Sequence, residues 1–418
     1  MSCVECGSVY EDDGFLLDCP VPHRPSLLRT QYAERRFSPG SSSGLFRYGS
    51  WLPAVRGDPV SAGGFAYRAE RLGCEVGLDE LWVAFSGYWP ERGGLLETCT
   101  FKDLQASAVL ARLPEGSPTL VVASAGNTGV AFMRACSLLR VPLVLVVPER
   151  ALSALARPVP HPECVRLVTV AGDYGDAIDL ARVIADRPGF QAEGGVRNVA
   201  HRDGLGTVLL AAAETIGRLP DCYVQAVGSG AGAIGAYEAA GRLLAAGFPA
   251  ARTGSRRGGP RMLLCQNRCF APMSDAWRSG AATAAAKDGP AERAAIARAA
   301  APELTTRTPP YAVRGGVRDV LSESGGHFAT ADSAETAAAQ NLFALACLRQ
   351  AAAQGRIARD ATVLLHVTGG GRQRYAADHR LCPARPAVRA RGLSHESVAD
   401  IVTASFPAAV ASSARGTS

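Results

Sequence analysis

Lysine is nearly missing from this chain. Of the 44 basic residues among 418, two are lysines, Lys102 and Lys287, and the rest are arginines. A polybasic lysine tail is therefore excluded, and any chemistry that needs a lysine amine has two candidates. The skew toward arginine reads as a GC-rich coding bias and says little about partners. Long apolar runs are also lacking: no stretch of about 18 apolar residues is free of charges or turn signals, so no membrane span is expected. A net charge of +6 is small for this length, and the cations form no stripe interleaved with aromatics, which argues against nucleic acid. The opening Met1-Ser2-Cys3-Val4-Glu5-Cys6 has neither a basic region nor an apolar run, so no secretory signal is expected. The twelve cysteines follow no disulfide framework, as in a reduced, cytoplasmic protein.

What is present bounds the class. At 47% hydrophobic and 20% charged residues the chain can fill large cores, and its length suggests two domains. Short continuous apolar segments at 119–123, 141–147, 165–170, 222–227, 261–265 and 362–367 read as strands. Helical patterns at 130–139, 177–185 and 207–215 lie between them. Such alternation means parallel sheet covered on both faces, an α/β fold. Residues 247–259 read as an exposed loop, the alanine-rich 280–301 as mainly helical, and the tail beyond about 405 as mobile. There is no internal repeat.

Near the start, Cys3-x-x-Cys6 and Cys19-Pro-Val-Pro-His23 have ribbon-like spacing. They read either as a small structural zinc knuckle or as an ordinary hairpin with free thiols. The two prolines and the histidine weigh toward the hairpin, so no metal is expected. Lys287, in Ala-Ala-Ala-Lys-Asp-Gly-Pro, reads as a solvated surface charge. Lys102, in Thr98-Cys-Thr-Phe-Lys-Asp-Leu-Gln-Ala106, opens a helix, where the positive end of the macrodipole disfavours an ammonium and lowers its pKa. That suits an amine that forms a Schiff base.

Three glycine-rich turns follow. Ser124-Ala-Gly-Asn-Thr-Gly129 joins a strand to a helix and offers free N–H groups to an anion. Val227-Gly-Ser-Gly-Ala-Gly-Ala-Ile234 could cradle a phosphate. The region after it lacks the strand and acid of a dinucleotide fingerprint, so a single phosphate fits better. Leu365-His-Val-Thr-Gly-Gly-Gly371 puts Thr368 at a strand end, where it could bond a heteroaromatic nitrogen. The order of lysine, anion turn, phosphate loop and Thr-Gly-Gly supplies the parts needed to hold pyridoxal phosphate.

Phe101-Lys102-Asp103, Ser124–Gly129, Gly228–Gly232 and Thr368 resemble the threonine synthase branch of the fold type II pyridoxal phosphate enzymes. Within that branch the likeness is nearer to the cysteate synthases. The segments 87–93, 121–129, 194–200, 202–206 and 223–230 are similar to the same set and keep its order from residue 1 to about 375. The resemblance implies a tryptophan synthase β-like α/β fold, with two doubly wound domains and the cofactor in the cleft between them. The divisions expected are a knuckle at 1–30, a large cofactor domain at 31–110 and 215–385, a small domain at 111–214, and a helix with a tail at 386–418. Lys102 would be the catalytic residue, holding pyridoxal 5'-phosphate and shuttling the Cα proton. Asn127 would bond the ring hydroxyl, and Gly228, Ser229, Gly230, Ala231 and Gly232 the phosphate. Thr368 would face the ring nitrogen, and Ser124, Ala125 and Thr128 would take the substrate carboxylate. Where the family pattern has a fourth cysteine, this chain has His23.

The reaction implied is a β-replacement on O-phospho-L-serine by sulfite, in a protein expected to be a homodimer. Both substrates are anions that need further cations, for which Arg92, Arg372 and Arg374 are the candidates, arginine being a forked donor. The rivals are a threonine synthase acting on O-phosphohomoserine, a phosphoserine sulfhydrylase making cysteine, and an inert scaffold relative.

Overall fold

The structure is a computed structural model and describes residues 1–57, 62–124, 126–156, 163–285, 289–340 and 342–406. Apolar strands drive its two sheets. In Leu143–Pro148 every residue is buried, which only a strand covered on both faces can sustain. This strand lies in a five-stranded sheet ordered Phe190–Ala192, Thr119–Ala123, Leu143–Pro148, Val165–Val170, Val388–Arg389, parallel throughout. The second sheet has six strands, ordered His327–Ala331, Arg261–Asn267, Cys222–Ala226, Thr362–Val367, Glu80–Phe85, Phe65–Arg68. It is parallel except for its last pair.

Between the sheets runs the Lys102–Arg112 helix, whose residues from Asp103 onward are all buried. It packs against Val199–Ile216 and Asn127–Leu139. Small residues permit the close approach: a Cβ on Gly204 would meet Leu104 O at 2.5 Å and Ala108 Cβ at 2.6 Å. The Val199–Ile216 helix also packs on Ala231–Ala245 and on the strand Phe65–Arg68. At the C-terminal end, His395–Ala404 covers Tyr174–Ala185.

The N-terminal segment is fastened to this body by buried charges. Arg112, 1% exposed, donates to Asp12 Oδ1 at 2.8 Å, to Leu16 O at 2.9 Å and to Asn198 Oδ1 at 3.0 Å. Arg202, fully buried, donates to Leu28 O and to Glu238 Oε2. Buried guanidinium groups are tolerated only when paired this fully.

Several boundaries differ from those expected. The helix read from residue 130 begins at Asn127, so Asn127 and Thr128 lie in its first turn and not in the preceding loop. Of residues 280–301 the helix covers Pro290–Ala297; composition there is helical, but Gly280 ends the preceding helix with a left-handed φ. Residues 247–259 form no helix or strand, yet close on themselves through Ala251 N–H to Gly258 O and Ser255 N–H to Gly259 O. Lys287, Ala125 and the tail from 407 lie outside the described residues. Among the described residues no helix is long and apolar enough to cross a membrane.

Candidate active site

Ligand sites in parallel α/β sheets lie beyond the carboxyl ends of strands, where loops lead into helix N-termini. Here Thr119–Ala123 runs into the Ser124 turn, Cys222–Ala226 into the Gly228 loop and Thr362–Val367 into Thr368. The second and third of these meet at Phe101, and Arg372 bonds to Asn127 to tie the Ser124 turn to the third. Phe101 N–H donates to Thr368 O at 3.0 Å and Gly370 N–H to Cys99 O at 2.9 Å, with a bridge between Thr100 and Gly369. Cys99 holds φ at 58°, a conformation uncommon outside glycine, and these contacts on both sides fix it. Lys102 N–H donates to Thr100 Oγ1, and Thr98 N–H to Asp103 Oδ2, so the start of the helix is tightly set.

The amine of Lys102 donates to Gln105 Oε1 at 3.0 Å. Burial lowers its pKa to about 8 from an ordinary 10.5, against the opposing pull of Glu193. The first-turn position acts in the same direction. Gln105 is itself buried, and its Nε2 has no partner.

The glycine loop lies on the other side of Phe101. Gly230 caps the Ala231–Ala245 helix at φ 86°, which suits glycine best. The first-turn N–H groups of that helix are unused by the helix itself, and no acid stands among them. A Cβ on Gly232 would come within 2.6 Å of Gln225 Nε2 and 2.8 Å of Phe101 Cε2. Backbone amides with that clearance suit a phosphate. Beneath the loop, Ser86 Oγ is 3.0 Å from His366 Nε2, and His366 Nδ1 is 2.8 Å from Tyr223 OH, which donates to Gln225 Oε1 at 2.9 Å. Burial drops the His366 pKa to about 3, so the imidazole is neutral. Because Tyr223 gives its proton to Gln225, Nδ1 is the protonated nitrogen and Ser86 donates to Nε2. This chain of bonds orients Gln225 under Gly232.

Not every expected residue takes its expected place. Ser124, expected at the substrate carboxylate, turns its Oγ to its own loop: it accepts from Gly126 N–H at 3.1 Å and Gly129 N–H at 2.8 Å and donates to Gly126 O at 3.3 Å. The hydroxyl caps the turn. Arg374 pairs with Asp378 at 2.8 Å and Glu91 at 2.7 Å on the surface. Arg92 stacks over Tyr67 and Trp89 at 5.4 Å and 5.3 Å, where the aromatic faces hold it. Arg372 does converge: its Nη2 donates to Asn127 Oδ1, tying the Thr368 turn to the Ser124 turn. Thr128 is half-buried in the first turn of its helix.

The structure adds a pair that the sequence reading missed. Glu193 Oε1 lies 2.8 Å from His201 Nδ1, and Gly195 N–H donates to Glu193 Oε2 at 2.8 Å. Both side chains are buried, and His201 Nε2 has no partner. The Glu193 carboxyl, raised by burial but lowered more by His201, Gly195 and Lys102, ends below its ordinary pKa. His201, driven down mainly by burial, titrates below its own. The available signal was an acid in a Gly-Gly turn after a strand, eight residues ahead of a histidine.

The family described as "Pyridoxal-phosphate dependent enzyme" matches residues 84–369. The chain is 45% identical over 407 residues to the cysteate synthase of Methanoculleus marisnigri, covering 94% of this chain and 93% of that protein. Against the cysteate synthase of Methanosarcina barkeri the identity is 38%, over 94% and 96%. Among solved structures, maize serine racemase aligns with a TM-score of 0.55 at 14% identity, over 73% of this chain and 89% of that one. Diaminopropionate ammonia lyase from Escherichia coli also gives 0.55 at 14%, over 88% and 94%. These structures share the fold, that of the type II pyridoxal phosphate enzymes, and the cofactor is pyridoxal phosphate.

Proposed function

The chain belongs to the cysteate synthases among the pyridoxal-phosphate dependent enzymes, and from that premise we propose that it converts O-phospho-L-serine and sulfite to L-cysteate and phosphate. Bound pyridoxal phosphate supplies an electron sink for the bonds broken at Cα. Gly228, Ser229, Gly230, Ala231 and Gly232 would hold its phosphate. Asn127, whose oxygen accepts from Arg372, would offer its amide N–H to the ring hydroxyl, and Thr368 would face the ring nitrogen.

Lys102 is the group that moves the proton. Its amine, near pKa 8, has an appreciable neutral fraction at neutral pH and can take the Cα proton of phosphoserine. The Cβ–O bond breaks with phosphate leaving, the C–S bond forms with sulfite, and Lys102 returns the proton to Cα. Glu193 balances the charge Lys102 acquires, and its hydrogen bond keeps His201 oriented. Arg372 stands ready for the anionic groups of the substrates, while His201, whose Nδ1–H donates to Glu193, keeps Nε2 as an acceptor. Thr128 remains a candidate for the carboxylate, together with the N–H groups of its helix start.

The cleft around Phe101 that brings Lys102, the glycine loop and Thr368 together carries the chemistry in this reading. The choice of sulfite rests on the 45% identity to a named cysteate synthase over 94% of the chain. We further place the protein in the cytoplasm as a homodimer; its twelve free thiols suit a reducing compartment, and light scattering gives the oligomer mass. Incubation with O-phosphoserine and sulfite should release phosphate and L-cysteate in equal amounts. Cysteine formed from sulfide with no cysteate from sulfite, or threonine formed from O-phosphohomoserine, would replace this substrate assignment.

A further inference from the structure

Cys3, Cys6, Cys19 and His23 are spread over 21 residues of the N-terminal segment, yet their ligand atoms all lie within 4.8 Å of one another. Cys3 Sγ is 3.2 Å from His23 Nε2, and Cys6 Sγ is 3.7 Å from Cys19 Sγ, too far for a disulfide. A zinc ion with Zn–S near 2.3 Å and Zn–N near 2.0 Å sets neighbouring ligand atoms about 3.5–3.8 Å apart in a tetrahedron. With every pair inside 4.8 Å, small side-chain movements bring the four atoms to that arrangement.

The surroundings are those of a metal site. His23 Nδ1 is 2.7 Å from Arg24 O; a carbonyl can only accept, so Nδ1 carries the proton and Nε2 presents its lone pair to the cysteines. Ser26 Oγ lies 3.5 Å from Cys3 Sγ and accepts from Glu5 N–H at 3.1 Å. Tyr10 OH lies 3.1 Å from Cys19 Sγ, and Ser8 Oγ lies 3.3 Å from Cys6 Sγ. Donors around each sulfur are what thiolate ligands require. The turn that brings Cys3 and Cys6 together closes through Gly7 N–H to Cys3 O at 3.0 Å and Cys3 N–H to Ser8 O at 2.9 Å.

We infer that these four residues hold one zinc ion in a closed structural site, and that the ion fastens the loop of residues 7–18 over the turn that carries Glu193. Three cysteines and a histidine fill the tetrahedron, leaving no position for substrate. The loop between Cys6 and Cys19 packs on the body of the enzyme. Leu17 fills the space beside Gly194, where a Cβ would come within 2.5 Å of Leu17 Cδ2. Asp18 pairs with Arg197 at 2.6 Å, and Asp12 with Arg112 at 2.8 Å. An ion joining the two ends of this loop limits its freedom when unfolded and holds its inner face against Gly194.

The holoenzyme tests this directly. Elemental analysis of enzyme purified without added metal should find about one zinc per chain, and cobalt-grown enzyme should show the visible d–d bands of a tetrahedral thiolate site. Cys19→Ser should lose both signals and melt at lower temperature while keeping the absorbance of its lysine-bound cofactor; Cys74→Ser, at an exposed cysteine outside the cluster, should change neither. If Cys19→Ser fails to fold, the wild-type cobalt spectrum still decides the matter. Wild type with reduced thiols that carries neither zinc nor a cobalt spectrum, or a Cys6–Cys19 disulfide found by mapping, would overturn the inference.

Discussion

Replacing Lys102 by methionine keeps the length of the side chain and removes a charge that the fold resists. Burial puts the amine near 8, against an ordinary 10.5. At about 1.4 kcal/mol per pKa unit, that difference is worth up to about 3 kcal/mol. Part of the side chain remains in contact with solvent in the cleft, which trims the figure to about 2–3 kcal/mol. Its sign follows from proton binding. Between pH 8 and 10.5 the unfolded chain holds a proton that the folded chain has shed, so wild-type stability rises with pH across this window. Below pH 8 both states are charged and the full penalty stands; above 10.5 both are neutral and it is gone. Denaturant unfolding of cofactor-free wild type and Lys102→Met, compared at each pH from 7 to 10.5, isolates this one group because the other titrations cancel. The variant should gain about 2–3 kcal/mol over wild type at pH 7 relative to their difference at pH 10.5. Loss of the bond to Gln105 adds only a constant offset. A difference that does not change with pH would mean that burial leaves the Lys102 amine at its ordinary pKa.

Other perturbations probe other parts of the site. Glu193→Gln removes the negative charge that raises the Lys102 pKa, so the acid limb of the pH–rate profile should move to lower pH, with kcat down on the order of 10-fold; an unmoved limb would separate Glu193 from Lys102. Gly232→Ala puts a methyl 2.6 Å from Gln225 Nε2, so spectroscopic titration should find pyridoxal phosphate bound on the order of 10-fold more weakly in a protein that still folds. Arg112→Met strips Asp12, Leu16 O and Asn198 of their shared donor and should cost about 3 kcal/mol in unfolding free energy.

Much of the scaffold can be read from the chain because buried parallel strands leave continuous apolar runs. Thr119–Ala123, with four apolar residues in a row, is such a run and was expected with these ends. Phe65–Arg68 was not; it is a four-residue antiparallel edge with no fully buried residue, so it carries little apolar signal. Glycine turns at strand ends and a lysine at a helix start are local features, and locality made them legible. What a side chain is already bonded to is not local. Ser124 looks like a substrate donor until its hydroxyl is seen to donate to Gly126 O, and Arg374 looks available until Asp378 and Glu91 are found beside it. Glu193 and His201 escaped notice for the converse reason, since their meeting and their nearness to Lys102 are made by the fold.

Everything in the proposed chemistry depends on one of two lysines carrying the cofactor. Reducing the holoenzyme with borohydride and mapping its peptides by mass tests it most directly. A pyridoxyl phosphate adduct should appear on Lys102, with Lys287 unmodified. An adduct on Lys287, or none on either lysine in enzyme saturated with pyridoxal phosphate, would contradict it.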